Sequence, residues 1–522
     1  MFFYLTYNKK KRKRGVNCLT SKPYIMGVDI GTSSTKAVLF NQRGEVIFRQ
    51  ATHYELITDE TGKAEESPTE IFEAVLSSIQ AVMKNVNKEE LAGISFSSAM
   101  HSLIMVGSNG ELLTECITWA DGRSSETLEK VKRDNYLFQL YEATGTPIHT
   151  MSPFAKICWL KEEKPTLFKR TEKFVDIKSY ILYRLFGVWV MDESLASGTG
   201  LYNIMEHDWE FEAMEIVKLT PDLLPKVVPE TYQLTGVKKE YAELMGIPEN
   251  LPFIVGGSDG ALANIGIQAT GQNDVTITVG TSGAVRKLTN QFQIDSRGRT
   301  FCYGAGDGYF IAGGAVNNGG KVVEWGLQQF GSEAEISRRD FASFIAKIEE
   351  VPPGAAGLLF QPYLLGERAP FWTNDIRGGF VGLTINHTKA HFIRAILEGV
   401  AFNLAEVYEA VSAPDDIIYV TGGISAHDAW CKLLADILNR EIRVPHTIEG
   451  SSLGAAIIGM RSLGILKDLN LKHTLPIKAV YHPSENVLKY AELRLIFKQV
   501  TTQLMSSYSQ LNSWQKKFDI NS

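Results

Sequence analysis

The chain has 522 residues, 44% hydrophobic and 21% charged, a balance that excludes global disorder and allows two large domains. Its 53 basic and 59 acidic residues leave a net charge of −6, without the basic excess of a nucleic-acid binder. No run of about 18 apolar residues appears, so no membrane-spanning helix is expected. Five scattered cysteines without a CxxC pair read as the reduced thiols of a cytoplasmic protein.

The sequence opens MFFYLTYNKKKRKRG, with six consecutive basic residues at 9–14. The apolar run is short and precedes the charges, the reverse of a secretion signal. Residues 1–23 are read as a disordered basic extension. Without them, 46 basic residues face 59 acidic ones, a charge of −13.

Ordered structure is expected from Pro23. Tyr24–Ile30 reads as a buried strand, 35–40 as a second, and 45–49 as the start of a return strand after the turn at 41–44. The fold therefore opens as a β-meander. Ser67 is a helix cap, Pro68 suits the first helical position, and Glu70 can close a capping box. Phe72, Val75, Leu76, Ile79, Val82 and Met83 then fall on one helical face. Strands are expected at 91–98 and 103–106, and another ending near Trp119. The middle of the chain is mostly helical. Later helices are expected at 389–410, burying Phe392, Ile396, Val400 and Leu404, and at 427–438. Strands beside such helices indicate α/β layers.

A weak internal repeat organises this pattern. GVDIGTSS at 27–34 is echoed by VTITVGTSG at 275–283. Both are β-runs ending in Gly-Thr-Ser, which suggests two similar domains with a boundary near 265–275. A ligand would sit in the cleft between them. Such turns bring backbone N–H groups and hydroxyls close to phosphate oxygens. Two of them suggest a nucleotide clamped from both sides, with Lys36 as a point charge. Asp29, just before the first turn, suits Mg²⁺ or an Asx turn. There is no Walker A sequence: at Asn317-Asn-Gly-Gly-Lys321, Val322 stands where Ser or Thr is needed. GGSDG at 256–260 has two chemical readings. Ser258 fits a hydrolase nucleophile elbow. Asp259 fits a general base for phosphoryl transfer, and the meander and twin turns favour it. His101 and Trp119, with Met100, are suggestive of a sugar site only as a group.

Longer stretches carry a resemblance. MSPFAKICWLKEE at 151–163, and GGFVGL at 378–383 followed by HFIRAILE at 391–398, resemble the two signatures of the FGGY carbohydrate kinases. GVDIGTSSTKAVLF, GGSDG and TGGIS at 421–425 stand in the family's order. The resemblance implies an α/β protein with two actin-like (ribonuclease-H-like) ATPase domains around a central cleft. It implies an N-terminal sugar-binding domain at 24–265, a C-terminal nucleotide-binding domain at 266–500, and a tail at 501–522. It implies ATP and Mg²⁺ as cofactors, with Asp29 at the metal and Asp259 as the catalytic base. Gly31, Thr32, Ser33, Ser34 and Lys36 would hold phosphates, as would Gly280, Thr281 and Ser282. Gly320, Gly423 and His427 would lie near the adenosine. Met100, His101, Trp119 and Met151 would line the sugar site.

Within the family, FSSAMHS at 96–102, ITWADGRS at 117–124, TGTPIH at 144–149, SLASGTG at 194–200 and GAVNNG at 314–319 resemble the branch that acts on gluconate. Met-His at 100–101 is also found in xylulokinases. The expected partner is thus a small sugar acid, with no nucleic acid or membrane, in a homodimer. Its carboxylate needs donors, for which Arg123 and His149 are candidates from local context. The rival readings are a xylulokinase, an actin-fold ATPase without sugar kinase activity, and a hydrolase acting through Ser258.

Overall fold

The first strand, β1 (Tyr24–Ile30), buries Ile25, Met26, Val28 and Ile30. Burial on both faces marks a central strand. In the computed structural model, which describes residues 22–133, 137–446, 449–471 and 476–518, β2 (Ser34–Asn41) and β3 (Val46–His53) continue it as an antiparallel meander. The expected basic extension, apart from its last two residues, lies outside the described residues.

Helix α1 (Pro68–Met83) begins as the sequence implied, with Ser67 Oγ accepting from Glu70 N at 3.3 Å. The expected capping box is only half made, because the exposed Glu70 side chain does not return a bond to Ser67. Ile71, Phe72, Val75, Ile79 and Val82 lay the helix on one face of the sheet. β4 (Leu91–Ser98) runs parallel to β1, and helix α2 (Pro153–Glu163) lies in the helical middle. β5 (Gln233–Leu234) and β6 (Phe253–Ser258) complete the sheet, in the order β5-β6-β4-β1-β2-β3. Helix α3 (Asp259–Gly266) leaves directly from the end of β6.

The second sheet repeats the plan. β7 (Asp274–Val279), β8 (Gly283–Thr289), β9 (Phe301–Gly306) and β10 (Tyr309–Val316) form its antiparallel part. Helices α4 (Gly320–Phe330) and α5 (Lys389–Glu409) follow. β11 (Ile417–Thr421), α6 (Asp428–Leu438), β12 (Ile442–Pro445), α7 (Gly450–Ser462), β13 (Ile477–Tyr481) and α8 (Val487–Lys517) close the fold. The order is β9-β10-β8-β7-β11-β12-β13. From β3 across to β5, and from β10 across to β13, neighbouring strands pair in the same senses: two antiparallel steps, two parallel, one antiparallel. The repeated Gly-Thr-Ser motif thus marks a repeated architecture. Helix α5 buries Ile396, Val400 and Leu404 in the second core as expected, and Phe392 is half-buried.

Two features depart from a simple division of the chain. Helix α7 comes from the second half but packs on the first sheet, where Leu453 and Ile457 join Ile25, Val38, Phe40, Ile254 and Leu262. Glycines permit the approach: a Cβ on Gly27 would stand 1.9 Å from Ser452 O, and one on Gly454 would stand 1.9 Å from Leu262 O. The expected tail after residue 500 is also part of the fold. Helix α8 runs through that point, burying Tyr508, and Thr501 Oγ1 donates to Gln361 Oε1 at 2.6 Å. Among the described residues, no helix is long and apolar enough to cross a membrane.

Candidate active site

The turn after β1 is closed by Gly31 N donating to Ser34 O at 3.0 Å. Tyr54 Oη donates to Gly31 O, and Trp119 Nε1 donates to Thr32 Oγ1 at 3.1 Å. Asp29 stands just before this turn, its Oδ1 accepting from Ser97 Oγ of β4 at 2.7 Å. Burial and the nearby charge of Asp259 push its carboxyl up to about 6. Lys36 faces Asp29 across the hairpin, but its Nζ lies 3.6 Å from Glu449 Oε2.

The turn after β7 is built differently. Gly280 N donates to Ser282 O at 2.9 Å. The turn docks on the start of α4, with Gly320 N donating to Gly280 O at 2.8 Å and Lys321 N to Thr281 O at 2.9 Å. A Cβ on Gly320 would meet Gly280 O at 2.4 Å, so only glycine allows this contact. Gly280 itself is exposed, with open space where a Cβ would be. The N–H groups of Gly280, Gly320 and Lys321 are spent on these bonds, and what favours an anion beside the turn is the dipole of the α4 N-terminus.

Two cavities meet at this turn. One, of about 280 Å³, is lined by Gly280, Thr281, Gly320, Gly423 and His427, with Phe341 and Ile345 as apolar walls. The other, of about 300 Å³, draws on both domains. Thr32, Met100, His101, Trp119 and Asp259 line it from the first, and Gly280, Thr281 and Ser282 from the second. Gly280 and Thr281 belong to both cavities.

Asp259 is the first residue of α3, at the end of a buried strand. Burial raises its carboxyl above the ordinary range, and the Arg286 guanidinium opposes that rise. Behind it, buried Lys178 pairs with Asp192 at 2.6 Å and donates to Gly257 O at 3.3 Å. Ser258 has no exposure, and its Oγ has no hydrogen-bond partner. A nucleophile sealed in this way cannot meet a substrate, which removes the hydrolase reading.

His101 has a φ of 67°, unusual for a side-chain-bearing residue. Its Nδ1 lies 2.7 Å from Gly198 O, and its carbonyl accepts from the buried Lys156 Nζ. Burial pushes its imidazole down to about 3, so the ring is neutral at pH 7. Lys156 also donates to Met151 O at 2.8 Å. Met151 is 1% exposed and lies behind the cavity wall rather than on it. Asp29, Gly31, Ser33, Ser34 and Lys36 cluster at the first turn, outside the lining of either cavity.

Among the residues of the larger cavity that sequence reasoning missed are Arg286, Tyr303 and Arg368. Arg286 lies on β8, four residues beyond Ser282, where an inward-facing arginine on a strand leaving a phosphate-type turn was the available signal. The two carboxylate donors suggested by local context are occupied or displaced. Arg123 is held by Glu65 and by Asp121 at 2.7 Å. His149 is buried, its Nδ1 accepting from Met151 N at 3.2 Å. Neither lines the cavity.

Two α/β domains of matching strand order, each offering a Gly-Thr-Ser turn to a shared cleft, define the actin-like ATPase class. Within that class, the N-terminal domain of the FGGY family of carbohydrate kinases matches residues 24–266, and its C-terminal domain matches residues 275–463. The chain belongs to this family. It is 41% identical over 504 residues to a gluconokinase from Bacillus licheniformis, covering 94% of this chain and 98% of the relative. A crystal structure of a gluconate kinase from Lactobacillus acidophilus superposes with a TM-score of 0.90 at 36% identity, covering 94% of this chain and 99% of that one. A ligand-bound xylulose kinase from the same organism superposes with a TM-score of 0.89, also at 36% identity, with the same coverage of both chains.

Proposed function

We propose that this protein transfers the terminal phosphoryl group of ATP to the terminal hydroxyl of D-gluconate, giving 6-phospho-D-gluconate. The observation that carries this reading is the joined pair of cavities. A largely apolar slot fit for a nucleoside and a polar pocket holding a carboxylate base meet at one phosphate-type turn.

In this reading Gly320, Gly423 and His427 receive the adenosine. Gly280, Thr281 and Ser282 hold the phosphate chain from one side, and Gly31, Thr32, Ser33, Ser34 and Lys36 from the other. Met100, His101 and Trp119 position the sugar, with Met151 supporting them through Lys156. Asp259 accepts the hydroxyl proton as the oxygen attacks phosphorus in line and the bond to ADP breaks. Its desolvated carboxylate is more basic than one in water, which suits proton acceptance near neutral pH. Closure of the two domains would exclude water from the reacting phosphate.

The residues fit Mg²⁺. Asp29 Oδ2 accepts no hydrogen bond among the described residues, and the neighbouring Asp259 charge makes a cation favourable there. One or two carboxylates with substrate phosphates are an ordinary Mg²⁺ environment. When bound, Mg²⁺ neutralises charge on the phosphate oxygens.

Gluconate is favoured by the 41% identity to a gluconokinase and by the arginines of the larger cavity. Xylulose is the second reading, favoured by the xylulose kinase structure at 36% identity. The test is ADP release from Mg-ATP with gluconate, xylulose, glycerol or no sugar. Selective turnover with gluconate is expected. Turnover confined to xylulose overturns the substrate, and sugar-independent hydrolysis alone overturns the kinase reading.

A further inference from the structure

The larger cavity holds two arginines that lack acidic partners. Arg286 lines the cavity, is partly exposed, and makes no side-chain hydrogen bond and no ion pair among the described residues. Its stem lies over the first turn of α3, with Nε 2.9 Å from where a Cβ on Gly260 would stand. Asp259 is its nearest negative influence, but the two do not reach ion-pair distance. Arg368 is 7% exposed, with its guanidinium 4.6 Å over the Trp119 ring. Nε donates to Asn317 Oδ1 at 2.7 Å and Nη2 to Val316 O at 3.2 Å. Its Nη1 has no partner among the described residues; the adjacent Glu367 carboxylate accepts from the Arg368 backbone N at 2.9 Å and from Asn318 and Asn403 rather than from the guanidinium.

One carboxylate, Asp259, lines this cavity against two guanidinium groups, a surplus of positive charge that is costly unless an anion joins them. Burial and the charge of Arg286 bring Arg368 down to about 10 despite Glu367. The surroundings specify the anion. The phosphate-type turn lies at the junction with the nucleotide slot, and Asp259 marks the end where a hydroxyl reacts. Arg368, stacked on Trp119 and near Tyr303, feels Arg286 but not Asp259 as a significant charge. Both arginines line the same cavity as the base. A planar carboxylate suits guanidinium donors.

We propose that Arg286 and Arg368 together bind the carboxylate of a sugar acid, with Arg286 as the residue that selects acids over neutral sugars. This rests on the sugar-kinase reading of the same cavity and names the feature of the substrate that the pocket recognises. Arg368 is fixed by backbone and asparagine and acts as the anchored half. Arg286, held by no hydrogen bond, is the half whose charge is free to respond to the substrate.

The test compares D-gluconate with D-gluconamide, its neutral analogue, in the full-length enzyme with Mg-ATP. Wild type is expected to prefer gluconate in kcat/KM by about 100-fold, mostly through KM. In Arg286→Met that preference is expected to fall to within about threefold of unity. Arg286→Lys, which keeps the charge without the fork, should raise the KM for gluconate about tenfold while retaining part of the preference. Thermal melts establish that the variants fold. If Arg286→Met does not, the Lys variant and calorimetric binding of the two compounds to wild type decide. Equal losses for both compounds, with the preference intact, would show that Arg286 acts only through Asp259 and would overturn the assignment. Equal wild-type binding of the two compounds would do the same. A wild type that phosphorylates xylulose and not gluconate overturns the substrate reading as well, so the two failures are distinguishable.

Discussion

The turn after β1 and the turn after β7 share Gly-Thr-Ser and the same place in their sheets, yet their surroundings differ in kind. Beside the first, Asp29 pairs in register with Lys36, and Asp259 lies near enough to raise the Asp29 carboxyl. Beside the second, the corresponding register pair is Thr278 with Ala284, and Thr278 Oγ1 shares a hydrogen bond with Thr421 Oγ1 at 2.9 Å. The first turn is tied down by side chains, Tyr54 and Trp119. The second is tied down by backbone bonds to the start of α4. One wall of the cleft is therefore charged and tuned by titratable groups. The other turn carries no charged side chain of its own and depends on close backbone approach, the charges of its domain lying farther along at Arg286 and Arg368. Loss of a side chain should hurt the first wall most, and addition of an atom should hurt the second.

The largest expected effect lies on the charged wall. Asp259→Asn should lower kcat about 10³-fold, with a thermal midpoint near wild type, because it removes a general base and keeps the shape. Steady-state kinetics with a melting curve check this, and a fully active variant would sink the proposed mechanism. Next comes the uncharged turn after β7. Gly320→Ala places a methyl 2.4 Å from Gly280 O, and the displaced turn should raise the KM for ATP about 30-fold. Thr281→Ala, which removes a hydroxyl from the same turn, should cost only about fivefold. A larger loss in Thr281→Ala than in Gly320→Ala would reverse the contrast between side-chain and backbone walls. Between these two in size, Asp29→Asn should raise the Mg²⁺ concentration for half-maximal rate about tenfold. A Mg²⁺ titration that does not move would take Asp29 out of the cation site.

Much of the fold and site was legible because it is local in sequence. The β1–β2 hairpin, the Ser67 cap and the repeated Gly-Thr-Ser turns each rest on a few adjacent residues. Asp259 was legible because a glycine-rich turn after an apolar strand leaves few places for its side chain. Arg286 and Arg368 were not legible as a pair. They are 82 positions apart in the numbering and come together only because β8 and the segment between α4 and α5 line one cavity. Arg123, attractive for its neighbours in sequence, is spent on Glu65 and Asp121, contacts that sequence spacing alone did not reveal. The capping box failed for a related reason: Glu70 has the right spacing, but an exposed carboxylate competes with water.

Helix α7 carries a consequence for how the protein can be divided. The chain reads as two successive halves, but the sheet of the first is roofed by a helix encoded near residue 450. A fragment stopping at Gly266 would leave Ile25, Val38, Phe40 and Ile254 without their cover and would present that bare apolar face to water. The halves are thus not separable modules, despite their matching architecture. Splitting the gene between them should yield a sticky first piece that becomes well behaved only when the second is supplied alongside it. The same roof also holds α3, so the base and the fold's closing strap travel as one body.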